Sequence, residues 1–169
     1  MTHSLFSRRV FLVSAATSAL AACSAGGSKR VAAVPDDVSG DQWRTLTEAD
    51  WKSRLAPAAY NVLRKHDTER PFTSPLNKED RAGTYHCAGC GLALFSSDVK
   101  YDSGTGWPSF WDVLPGAIGT SVDRKLFYPR TEYHCARCLG HQGHVFEDGP
   151  APTGLRYCNN GVALTFKPA

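Results

Sequence analysis

Apolar and polar positions along the chain fall into three regimes. Val10 to Ala22 is an uncharged run of 13 residues behind a charged start, too short to span a bilayer and of the length of a signal-peptide apolar region. From Ser24 to about Asp41 the text is Gly, Ser, Ala and Pro among polar residues, without a periodic apolar face, and reads as a tether. Thr47-Glu48-Ala49-Asp50 then supplies a helix N-cap with acids in the first turn, and Trp51 and Leu55 follow at i, i+4, so a short helix starts there. Pro57 interrupts it and opens a second helix through His66, with Val62 and Leu63 facing inward. After Arg70 the period shortens. The runs Thr84–Cys87, Leu92–Phe95, Ile118–Val122, Glu132–Cys135 and Val162–Phe166 lie between Gly, Pro and Asp turns and predict strands. The expected fold is mainly β: a small antiparallel β domain with short N-terminal helices. Tyr-His-Cys-Ala-x-Cys occurs at 85–90 and again at 133–138, which predicts two similar hairpin tips and not a solenoid.

The organisation expected from this pass is an export signal over 1–22, a tether over 23–46 and one domain over 47–169. The length of 169 residues suits that single domain. With 42% hydrophobic and 21% charged residues, composition argues against disorder, collagen, coiled coil or a polytopic membrane protein. The formal charge is +3, and Arg8 and Arg9 supply most of it. The domain itself therefore has no basic field, and nucleic-acid binding is not expected, because phosphate contacts need clustered positive charge.

Six cysteines divide into three groups. Cys87 and Cys90, with Cys135 and Cys138, are two Cys-x-x-Cys pairs 44 residues apart. Each knuckle offers two thiolates, and together they complete a tetrahedral shell for structural zinc, or less often iron. The competing reading is disulfides, which oxidation favours in an exported chain. A closed four-sulfur shell has no open position, so such a metal holds the fold and leaves chemistry to other residues. Cys158 has no partner. A lone thiol serves more often as a small buried hydrophobe than as a nucleophile. Arg156, two residues away, can stabilise a thiolate, and on a strand 156, 158 and 160 share a face. His141 and His144 could bring imidazoles to that face as proton donors, although a surface position is the commoner use of a histidine.

The start Ser7-Arg8-Arg9-Val10-Phe11-Leu12 resembles a twin-arginine export signal, and Leu20-Ala21-Ala22-Cys23 resembles the lipobox of bacterial lipoproteins. The alternative is plain cleavage after Ala19-Leu20-Ala21. Cys87-x-x-Cys90, Ser103-Gly104-Thr105-Gly106-Trp107-Pro108-Ser109-Phe110, the second Cys-x-x-Cys, the block from Gly140 to Pro150, and Thr153 to Asn160 together resemble the B-type peptide methionine sulfoxide reductases, in order and spacing. The resemblance covers roughly Thr47 to Phe166. It implies a two-sheet, β-tent-like fold, one structural Zn2+, and reduction of peptide-bound methionine R-sulfoxide in oxidised proteins, with an external thiol or thioredoxin-like reductant. It further implies that Cys158 attacks the sulfur and becomes a sulfenic acid. His144 and His141 would then position and protonate the oxygen, Asn160 and Arg156 would orient the groups, and Trp107 would receive the substrate methyl. Without the resemblance, Trp107 would read as a core aromatic beside Phe110 and Trp111.

Two positions depart from the family pattern. Thr105 stands where many relatives carry a resolving cysteine, so direct attack on the sulfenic acid by an external thiol is expected, in preference to exchange with a metal-site cysteine. Gln142 stands where leucine is expected and reads as a pocket-edge residue. The expected location is the periplasm or cell envelope, with a lipid anchor at Cys23. The competing function class is a zinc-ribbon or rubredoxin-like binding or electron-carrier module. That reading accounts for four cysteines and leaves Cys158, Trp107 and the two histidines without a purpose.

Overall fold

A computed structural model describes Met1 and residues 41–169. The signal, the lipobox with Cys23 and most of the tether lie outside the described residues. The first described element is a one-turn helix, α1 (Asp41–Arg44), inside the last stretch of the 23–46 segment. There the Trp43 ring lies 6.2 Å from Trp51, and Arg44 donates to the Ala136 carbonyl at 2.9 Å. Helix α2 (Glu48–Arg54) starts where the cap pattern puts it. The Thr47 hydroxyl accepts from the Asp50 amide, and the Asp50 carboxylate accepts from the Thr47 amide, satisfying two end groups at once. Helix α3 (Pro57–Lys65) has Pro57 in its first turn and ends on His66 in the left-handed region. Its buried face is Ala59, Tyr60, Val62 and Leu63.

Among the described residues nine strands make two antiparallel sheets, as expected for a mainly β, two-sheet domain. The smaller contains β1 (Gly83–Cys87), β2 (Ala93–Ser96) and β9 (Leu164–Pro168), in the order β2-β1-β9. The larger contains β3 (Lys100–Tyr101), β4 (Ser109–Phe110), β5 (Ile118–Asp123), β6 (Arg130–Cys135), β7 (His141–Phe146) and β8 (Arg156–Asn159). Their order is β3-β4-β8-β7-β6-β5. The aromatic core includes Phe95 from the small sheet and Phe110 from the large one, stacked at 4.0 Å, with Tyr85 and Tyr133 fully buried beside them. The Val162–Phe166 run is a strand only from Leu164. The amides of Gly161 and Val162 are turned onto the Glu69 carboxylate, which fixes a 3-10 turn at Gly161–Ala163 instead.

The repeated hexapeptide forms two equivalent hairpin tips. After β1, the Gly91 amide donates to the Cys87 carbonyl at 2.8 Å; after β6, the Leu139 amide donates to the Cys135 carbonyl at 2.9 Å. Both closing residues have positive φ, +73° at Gly91 and +57° at Leu139. Strands β7 and β8 pair so closely that a Cβ at Gly143 would overlap the Cys158 carbonyl oxygen. Gly143→Ala must therefore push the two strands apart, and is expected to lower stability by about 2–4 kcal/mol, measurable as a shift of the denaturation midpoint.

Candidate functional site

The site is built from the middle of the large sheet. In the β7–β8 register His144 lies directly opposite Cys158, and on the other side of β8 Cys158 faces Ser109. In a regular strand, residues three apart point to opposite faces, which would separate His141 from His144. The β6–β7 pairing slips between Tyr133 and His134, so that Tyr133 pairs with Gly143 but His134 with His141. Gln142 is the extra residue of this bulge, and one extra residue returns His141 and His144 to one side. Their rings are 5.5 Å apart.

A cavity of about 100 Å3 opens on this face, lined by Cys158, His144, Trp107, Asn160, Phe146 and Arg130 among others. Trp107 is half-buried and lines the cavity rather than the core, and its indole N–H donates to the Glu69 carbonyl at 2.8 Å. Asn160 is buried. It accepts the Glu69 amide at 2.9 Å and donates to the Gln142 carbonyl at 2.9 Å, so its amide group is held from two sides. Arg156 is also buried, its guanidinium forked onto the Asp148 carboxylate with both contacts at 2.8 Å. His141 does not line the cavity. It lies behind His144 at 2% exposure, with Nδ1 2.8 Å from Glu132, and its ring stacks on His66 at 4.9 Å.

Burial pushes the Cys158 thiol above its ordinary value, while the Arg156 charge and hydrogen bonds from Thr105 and Arg156 pull the other way. The net direction is up. Arg156 thus favours the thiolate, in the direction expected from sequence, but burial outweighs it. Burial pulls His144 down, opposed by the hydrogen bond from its Nε2 to Asp123 at 2.8 Å. An ionised carboxylate only accepts, so Nε2 carries the proton and Nδ1 is the free basic nitrogen of the neutral ring. The resting pair is thus a thiol and a neutral imidazole. Asp123 itself is held far below the usual carboxylate range by the Lys125 amide, His144 and Arg130.

Residues that sequence reasoning missed form the support. Glu132 accepts from Ser121 at 2.7 Å and bonds His134 and His141 at 3.1 and 2.8 Å. Burial alone would raise its carboxyl, but these three partners hold it well below the ordinary value. Only a strand position flanked by hydroxyl and imidazole groups could have signalled it. Gln142 is not a pocket-edge residue: it is fully buried, reaching the Cys87 sulfur at 3.4 Å and accepting from the Asn159 amide at 3.4 Å. The bulge turns it inward, which no alternation pattern could reveal.

Cys87, Cys90, Cys135 and Cys138 are all buried with their sulfurs within 4.8 Å of one another. Cys87–Cys138 and Cys90–Cys135 stand at 3.6 and 3.5 Å. A disulfide needs about 2.05 Å, so these are free thiols. The separations approach the edge of a tetrahedron with metal–sulfur bonds of about 2.3 Å, and the soft donor set fits a structural metal.

The family model described as SelR domain matches residues 55–168. Proteins called peptide methionine sulfoxide reductase MsrB are similar to more than two thirds of the chain. That of Agrobacterium fabrum is 51% identical over 123 residues, 72% of this chain and 91% of the relative. That of Methanosarcina barkeri is 53% identical, covering 72% of this chain and 86% of the relative. That of Pseudomonas putida is 53% identical, covering 74% and 93%. The crystal structure of the Mis18 'Yippee-like' domain is 14% identical with a TM-score of 0.41, covering 53% of this chain and 98% of that one, and bears no argument.

Glu132→Gln removes the carboxylate that holds buried His141, half-buried His134 and the Ser121 hydroxyl, and is expected to cost about 1–3 kcal/mol. The sign with pH follows from its lowered value. Stability from Glu132 is fully present above the ordinary carboxyl value of 4.5 and is lost as pH falls below it. Acid unfolding of the wild type should therefore be steeper than that of Glu132→Gln, as followed by circular dichroism.

Proposed function

The chain belongs to the SelR-domain family, the MsrB-type peptide methionine sulfoxide reductases, and from that premise we propose that it reduces the R epimer of peptide-bound methionine sulfoxide through Cys158. The observation that carries this reading is the register that sets Cys158 across from His144 in a cavity walled by Trp107. A sulfoxide sulfur is attackable once its oxygen is hydrogen-bonded or protonated. Cys158 Sγ attacks that sulfur, and its proton passes by way of His144 Nδ1 to the sulfoxide oxygen. The S–O bond then breaks as oxygen transfers to Cys158, leaving methionine and a Cys158 sulfenic acid. The substrate is reduced by two electrons and the cysteine oxidised by two. Asn160 holds the floor of the cavity, Trp107 receives the methyl group, and Arg156 favours the developing thiolate. His141, touching no cavity surface, acts by positioning His144.

Thr105 occupies the place of a resolving cysteine, so an external thiol or thioredoxin-like partner attacks the sulfenic acid, releases water, and leaves a mixed disulfide that a second thiol resolves. We assign Zn2+ to the four-cysteine cluster, where Cys87, Cys90, Cys135 and Cys138 would hold it and it would supply cross-linking of the two hairpin tips. A zinc-ribbon or rubredoxin-like module without reductase activity leaves the Cys158 cavity without a use. Residues 1–22 and Cys23 support export to the cell envelope with a lipid anchor, and mass spectrometry of the N-terminus from a native membrane fraction tests it.

Turnover of separate R and S epimers of a methionine sulfoxide peptide, with dithiothreitol, should be R-selective and absent in Cys158→Ser. Turnover that survives the substitution would mean another nucleophile. Because burial lowers His144, the acid limb of kcat/KM should lie below pH 6.5, its ordinary value. Asp123→Asn removes a contact that raises His144 and fixes its tautomer. It should move that limb lower still and cost about 10²-fold in kcat.

A further inference from the structure

The cavity of about 100 Å3 is of side-chain size and open to solvent, so a polypeptide with methionine sulfoxide in it would lay its neighbouring residues on the rim. Two exposed apolar features lie near it among the described residues: Phe72, whose amide donates to the Gly106 carbonyl beside Trp107, and a larger group at the β5–β6 turn. Beyond the last β5–β6 pair, Asp123 opposite Arg130, the chain turns through Leu126, Phe127 and Tyr128. These three are 47%, 109% and 60% exposed, with Val122 at 63% beside them. Four large, exposed apolar side chains together on a hairpin end mark a contact surface.

This tip is fastened to the catalytic groups on both sides. The Asp123 carboxylate takes Arg130 at 2.6 Å and His144 at 2.8 Å, and Arg130 itself lines the cavity. Lys125 donates to the carbonyl of His66, whose ring stacks on His141. A segment leaving the cavity past Arg130 and His144 therefore meets Leu126–Tyr128 next.

We propose that the Leu126–Phe127–Tyr128 tip is a docking surface for the polypeptide substrate, gripping apolar residues that flank the oxidised methionine. The occupant it fits is an extended segment of an oxidised, locally unfolded protein, because apolar side chains next to a methionine are exposed only when that segment leaves its own core. The proposal rests on the reductase reading, and names the substrate class of the same cavity.

The test uses the full chain and a variant with Leu126→Ser, Phe127→Ser and Tyr128→Ser. Kinetics are measured on N-acetyl-methionine sulfoxide and on a peptide with leucine and phenylalanine on both sides of the sulfoxide. The variant should lose about tenfold in kcat/KM on the peptide, through KM with kcat unchanged, as expected for losing apolar contact at the rim. Its turnover of the small substrate should stay as in the wild type. Equal loss on both substrates would show that the tip merely props Asp123 and His144, and unchanged values on both would show no docking; either overturns the proposal. Unchanged peptide kinetics together with lost binding to anionic phospholipid vesicles would assign the tip to a lipid surface instead. A wild type inactive even on the small substrate would defeat the reductase reading itself, an outcome distinct from all of these.

Discussion

The antiparallel pairing of β7 with β8, with His144 across from Cys158, is the constraint on which the rest of the site depends. It needs Gly143, since any side chain there would strike the Cys158 carbonyl. It also needs the bulge at Gln142, without which His141 and His144 would face opposite ways. On that frame burial is the largest influence on both groups, pushing the thiol up and the imidazole down against the opposing pull of Arg156 and Asp123.

The four-cysteine cluster stands apart from this chemistry but is tied to it. Both knuckles end strands, β1 in the small sheet and β6 in the large one, so a metal held by all four would join the two sheets where no backbone pairing does. Gln142 extends the tie, one end of its amide on the Cys87 sulfur and the other on Asn159, the residue after the nucleophile. A leucine would fill the same space without that link. Buried polar groups that find all their partners give a core one arrangement and not several.

Local rules made much of this legible in the sequence. The Thr47 capping box, the Pro57 break, five of the strand runs and the duplicated knuckle follow from short-range chemistry, and appear where expected apart from the start of β9. Strands β7 and β8, on which His144 and Cys158 sit, have no clean alternation because one is bulged and both lie centrally in the sheet. Trp107, His144, Cys158 and Asn160 line one cavity. His141 is buried on Glu132 outside that lining, and Arg156 is buried on Asp148 with its charge still reaching Cys158. Glu132 escaped notice and Gln142 was misplaced at the pocket edge because their surroundings come from cross-strand neighbours, which a single sequence does not display.

The central claim is that one cysteine outside the metal shell takes the oxygen and waits for an external thiol. The most direct measurement is mass spectrometry of the metal-loaded protein after reaction with a methionine sulfoxide peptide in the absence of reductant. The account expects one methionine formed per chain, a sulfenic acid or its trapped adduct on Cys158, and Cys87, Cys90, Cys135 and Cys138 unmodified with their metal retained. An intramolecular disulfide between Cys158 and any of those four, with metal released, would contradict it.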